Sequence, residues 1–148
     1  MDKAIVCGVD GSADSQAALF LAARMADQLG ARLVLANAVE YAQSPYAVAG
    51  AFGPAAAQAP VAATPDDPVQ AGEQLLETMV EEAGVEPAER RVIAGFAAEG
   101  LADLADEQDA ELIVVGSRGA FKSPSFGSVS ASLIGVARCP VVVVSAGA

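Results

Sequence analysis

"AIVCGVDGSADSQAALFLAARMADQLG", residues Ala4 to Gly30, changes its hydrophobic period part-way along. Ala4 to Val9 is a short apolar run rich in β-branched residues, the pattern of a buried strand rather than of a helix. Asp10-Gly11-Ser12 then supplies turn chemistry, and Ser12 suits a helix N-cap. Beyond it Ala18, Leu21, Ala22, Met25 and Leu29 recur on one helical face until Gly30 ends the period. The segment predicts strand, turn and helix in immediate succession.

The same unit returns along the chain. Arg32–Val39 reads as a second strand. Asp66-Asp67-Pro68 opens a helix, with acids and an early proline at its N-terminus, and Leu75, Leu76, Met79, Val80 and Ala83 form its stripe before Gly84. Arg91–Phe96 reads as strand three, followed by a short acidic helix marked by Leu101, Leu104 and Ala105. Leu112–Val115 is strand four. Val129, Leu133, Ile134 and Val136 populate a last helix, and Pro140–Ser145 is strand five. Strand and helix alternate throughout, which predicts an α/β fold with a parallel sheet and helices on both faces.

One segment breaks the rhythm. Tyr41–Pro65 holds no charged residue, four prolines and two glycines. That composition suits no regular element, and the length predicts a mobile flap or local disorder. The remainder fits a single domain over residues 1–148, a length that supports a proper core.

Composition narrows the chemistry. The formal charge is −11, from 19 acids against 8 bases, which argues against general affinity for nucleic acid and for anionic membranes. Solubility is the ordinary reason for such acidity. A bound phosphate must therefore be held locally, by backbone N–H groups and one or two cations. Apolar residues make up 53% of the chain, yet no run approaches the roughly 18 needed to span a membrane. No basic, apolar leader precedes the first strand, so the expectation is a soluble cytoplasmic protein. Histidine is absent and Cys7 and Cys139 are the only cysteines. These counts argue against a disulfide framework and a Cys/His metal site, and the missing histidine removes Ser–His and Cys–His nucleophile pairs.

The segment after strand four, "GSRGAFKSPSFGSVS" from Gly116 to Ser130, carries three glycines, five serines and two cations but no acid. In open parallel sheets, ligands sit beyond the carboxyl ends of the strands, where the strand order reverses. Gly116, Gly119 and Gly127 let backbone approach an anion, and Ser128 to Ser130 open a helix whose dipole favours one. Neither a Walker loop nor a G-x-G-x-x-G fingerprint is present: Phe121 precedes Lys122-Ser123, and strand one ends Gly8-Val-Asp-Gly11. Spacing alone leaves an ordinary βα loop and a phosphate cradle equally open. Asp10 is likewise either a turn former bonding its own backbone or a ligand group, and one residue can be both. The last strand is apolar on both faces; at a sheet edge its unpaired backbone invites a second strand, and hence a homodimer.

Three blocks, "VCGVDGSADSQAAL", "AELIVVGSRG" and "FGSVSASLIGVARCPVVVV", give the chain a resemblance to the universal stress protein family over almost its whole length. The resemblance implies a Rossmann-like sandwich of the adenine nucleotide alpha hydrolase-like type, with strand order 3-2-1-4-5. It also implies a homodimer through the fifth strand, residues 140–145. In that order strand four separates the strands of Cys7 and Cys139, so both are expected as unbridged core thiols. Many relatives bind ATP through G-x2-G-x9-G-[ST]. This chain has Gly116-x2-Gly119 and Gly127-Ser128 with seven residues between Gly119 and Gly127. Seven residues span roughly 23 Å when extended, so the loop can close.

Carried over position by position, the resemblance implies that Val9 and Asp10 approach the nucleoside. Ala38 and Val39 offer backbone groups and an apolar wall to adenine. Gly116, Arg118 and Gly119 line the ribose and phosphates, and Gly127, Ser128, Val129 and Ser130 cradle the phosphates of ATP with Mg2+. Lys122 is expected in solvent. The family offers two alternatives: a nucleotide-free dimer that binds a protein partner of unknown identity, and a weak ATPase. With one carboxylate, Asp10, at the ligand end, at most slow hydrolysis is expected.

Overall fold

Ala4, Ile5, Val6 and Cys7 are wholly buried, because the strand that holds them lies at the centre of the sheet and is covered on both faces. The structure, a computed structural model, describes residues 3–39, 67–118 and 128–147. In chain order it runs β1 (Ala4–Gly8), α1 (Ala13–Leu29), β2 (Arg32–Val39), α2 (Pro68–Ala83), β3 (Glu89–Ala94), α3 (Ala97–Gln108), β4 (Ala110–Gly116), α4 (Ser128–Val136) and β5 (Val141–Val144). The five strands form one sheet in the order β3-β2-β1-β4-β5, every pair parallel. This is the doubly wound, Rossmann-like sandwich that the alternation and the resemblance imply. The 41–65 segment lies outside the described residues.

Period-two alternation sorts the strand residues between two cores. Ile5, Cys7, Val9, Leu33, Leu35 and Val114 point to the face covered by α1 and α2. Val6, Val34, Ala36, Ile113 and Val115 point to the face covered by α3 and α4. Register follows from this: Ile5 pairs with Leu33 on one side and Leu112 on the other, with an irregularity between Ala4 and Ile5.

The helices end where local chemistry says they should. Ser12 caps α1, its Oγ accepting the Ser15 N–H at 3.1 Å. Gly30 closes that helix at φ 64°, a left-handed conformation that costs glycine nothing. Asp67 caps α2 through the Val69 N–H, with Pro68 at the first helical position.

Several boundaries and faces differ from the sequence expectation. The buried face of α1 is Asp14, Ser15, Ala18, Leu19, Ala22 and Ala26, whereas Leu29 is exposed and Leu21 and Met25 are half-buried. Alanines let the helix sit close on the sheet, and the larger side chains splay to its flanks. β3 begins at Glu89 and ends at Ala94, two residues earlier than expected, because Gly95 at φ 126° turns the chain out of the sheet and leaves Phe96 exposed ahead of α3. β4 is longer than expected, running from Ala110 to Gly116. On α4 Leu133 is buried, but Ile134 and Val136 face solvent, since this nine-residue helix touches the molecule on one side only.

The two edges of the sheet differ in chemistry. β3 carries Glu89, Arg90 and Arg91, and Arg91 bonds both Glu89 (2.8 Å) and Glu107 (2.9 Å). β5 is four half-buried valines. Cys7 and Cys139 are both free thiols: Cys7 is buried in β1, whereas Cys139, expected in the core, is half-buried in the bend before β5, with β4 between β1 and β5. Burial pushes the Cys7 thiol up to about 12, so it stays protonated and inert. Among the described residues no helix is long and apolar enough to cross a membrane.

Candidate functional site

The strand order reverses between β1 and β4: from β1 the chain winds outward through β2 to β3, and then crosses to β4 and β5. The crevice beyond the ends of these two central strands is the place where such sheets take ligands.

On the β1 side, Val9 is buried and held on both sides. Its N–H donates to Ala36 O at 2.9 Å, and its carbonyl accepts from Asn37 Nδ2 at 2.8 Å. Asp10 is exposed; its Oδ1 accepts the Ser12 N–H at 2.9 Å, which shapes the turn into α1. Ala38 and Val39 end β2 half-buried beside this turn. Gly11 holds φ 86°, and α2 passes so close that a Cβ there would stand 3.1 Å from Leu75.

On the β4 side, Gly116 meets the first turn of α1. A Cβ at 116 would lie 2.8 Å from the backbone of Asp14 and Ser15, so glycine is what lets strand and helix touch. Ser117 follows, buried, its N–H on Val144 O. Arg118 is half-buried, and its carbonyl accepts from Ser12 Oγ at 3.4 Å.

Between the two sides lies Asp14, 4% exposed. Its Oδ2 accepts from Ser117 Oγ (2.6 Å), the Arg118 N–H (3.1 Å) and Arg118 Nε (3.3 Å), while Oδ1 accepts the Ala146 N–H (3.0 Å). These donors, Ser117 foremost and then the Ala146 amide, hold the carboxyl down at about 2. A carboxylate in the first turn also satisfies the positive end of the α1 dipole. The N-terminus of α1 is thus capped by Ser12 and carries the charge of Asp14 in its first turn. At the N-terminus of α4, the next element after β4, Ser128 is exposed and Val129 half-buried.

Of the residues expected at a site, Val9, Asp10, Gly116 and Arg118 lie at the exits of β1 and β4, and Ala38 and Val39 lie at the end of the neighbouring β2. Ser128 and Val129 open α4. Ser130 is buried and turns its hydroxyl inward, donating to Ser117 O at 3.3 Å. Gly119, Gly127 and Lys122 lie outside the described residues. Asp14, Asn37 and Ser117 are additions that the sequence reading missed. Asn37 had a visible signal, an amide inside an apolar strand; Asp14 had a weaker one, an acid in the first turn of a capped helix.

Comparison with known proteins agrees with this architecture. Residues 1–145 match the profile of the universal stress protein family. A universal stress protein solved in complex with cAMP is 26% identical and superposes with a TM-score of 0.66 over 98% of each chain. A universal stress family protein from Burkholderia pseudomallei is also 26% identical, with a TM-score of 0.60, covering 96% of this chain and 95% of that one. A universal stress protein from Archaeoglobus fulgidus, 24% identical, shares the fold with a TM-score of 0.67 over 97% of this chain and 94% of that one. No curated protein matches the chain.

Proposed function

We propose, from the premise that the chain belongs to the universal stress protein family, that it is an adenine-nucleotide-binding regulator, taking ATP with Mg2+ at the β1/β4 crevice and working as a homodimer. The observation that carries the reading is the division of labour between two helix N-termini. That of α1 is capped by Ser12 and carries the charge of Asp14, and the exit of β4 leads to that of α4, exposed at Ser128. The donor set fits the ligand. Val39 and Ala38 give adenine an apolar wall, and Val9 and Asp10 flank the nucleoside. Gly116 and Arg118 begin the phosphate side, which Gly119, Gly127, Ser128 and Val129 continue, and Ser130 braces it through Ser117. Because Asp14 engages Arg118 through Nε, the terminal guanidinium nitrogens are the ones a phosphate would meet. Magnesium would enter on the phosphates and keep most of its water. The 26% identical relative solved with cAMP supports an adenine ligand.

The dimer rests on the edge contrast: β5 offers apolar side chains and unpaired backbone, while β3 is guarded by charge. Ile134 and Val136, exposed on α4, extend the apolar surface offered for pairing. A second reading, a nucleotide-free dimer serving a protein partner, is favoured by one observation: the Ser130 hydroxyl already spends itself on Ser117 O.

Calorimetric titration of nucleotide-stripped protein with ATP and magnesium separates the two. Binding near micromolar strength, about −8 kcal/mol, is expected. No heat and no thermal shift up to millimolar ATP would establish the nucleotide-free reading instead.

A further inference from the structure

Asp14 is gripped from two directions. Oδ2 takes three donors from the exit of β4, and Oδ1 takes the Ala146 N–H, two residues past the end of β5. A carboxylate is a rigid plane, so its two oxygens cannot move independently. Both groups of donors also act on one charge: whatever draws Ser117 or Arg118 away changes the field and the position that the Ala146 amide feels. The site is buried, so water does not replace a lost partner cheaply. The β4–β5 ladder also ties the two exits, pairing Gly116 with Val144 and continuing through the bond from Ser117 N–H to Val144 O, which stops short of Ala146.

We propose that Asp14 is a positioning residue that couples the exit of β4 to the exit of β5, so that disturbing its β4-side donors loosens the segment after Val144. The edge strand and the ligand crevice are then joined by one side chain. That a nucleotide phosphate, by recruiting Arg118, makes use of this coupling rests on the reading given above; the coupling itself does not.

Residue-resolved amide exchange on the full chain tests it. Ser117→Ala removes a hydroxyl that touches Asp14 and not Ala146. Exchange at the Ala146 amide should nevertheless rise about tenfold, while the amides of Ile5 to Cys7 keep their protection. Asp14→Ala should produce at least that rise, and adding Ser117→Ala to it should add nothing further. If Asp14→Ala does not fold, Asp14→Asn, which keeps the shape and one acceptor, carries the same comparison. Unchanged exchange at Ala146 in Ser117→Ala, or additive effects in the double variant, would overturn the coupling. With saturating ATP and magnesium, the wild type should alter exchange at Ala146 by about threefold or more, and Asp14→Asn should not. ATP binding that leaves Ala146 untouched would remove the nucleotide from the mechanism. Absence of binding would instead overturn the nucleotide reading, with the coupling judged on Ser117→Ala alone.

Discussion

Asp14 makes the stability of this protein depend on acid. Its carboxyl titrates at about 2 in the folded chain, below the 3.8 of an unperturbed aspartate. A depressed pKa contributes stability that is complete above the unfolded value and fades as pH falls through the folded one. About 2 kcal/mol should therefore be lost between roughly pH 5 and pH 2. Urea midpoints measured across that window should fall in the wild type, and Asp14→Asn should lack this component of the slope. Gly116 is the complementary case, a residue whose value lies in having no side chain. Gly116→Ala places a methyl 2.8 Å from the backbone of α1, which cannot swing aside as a side chain would. A cost of about 1–3 kcal/mol is expected in equilibrium denaturation. The glycine was legible in the sequence as a candidate for approach to a phosphate; its packing on α1 was not, because that contact joins residues about a hundred positions apart.

At the scale of elements, what the sequence made plain was whatever depends on neighbours in the chain. Strand one, the Ser12 cap and the Gly30 stop are local events, and each was readable from a few residues. The errors fall where tertiary packing decides. Spacing marks Leu29 and Ile134 as apolar members of helical stripes, but only the position of the sheet tells which way each helix is rolled; both are exposed. β3 slipped because Ile93-Ala-Gly-Phe96 reads as continuous apolar strand until the backbone of Gly95 is known. For the site, Gly116 and Asp10 were visible through their motif. Asp14 was hidden, since an acid in a first turn is ordinarily a surface residue. The edge strand carries its own prediction. Val143→Lys adds a charge to a half-buried β5 side chain that can still reach water through its long stem. If two chains pair through β5 as proposed, sedimentation velocity should show the wild type as a dimer and this variant as a monomer, with the thermal transition of the folded chain still cooperative.

The molecule as a whole carries −11 charges on 148 residues, and their mutual repulsion opposes compactness. Raising salt from about 0.05 M to 0.5 M shortens the screening length and should add about 1 kcal/mol, or roughly 3 °C in the melting temperature. A scan in which the transition did not move would mean that the acids are already spaced widely enough to ignore one another. The unequal edges of the sheet have a consequence for assembly. Two chains joined along β5 would form one continuous sheet whose outermost strands are both β3, each bearing Glu89, Arg90 and Arg91. A third chain would find no apolar strand left to extend. In such a pair the recruiting edge would be used up by the first partner, so growth would stop at two and the same sheet that pairs would not become a filament.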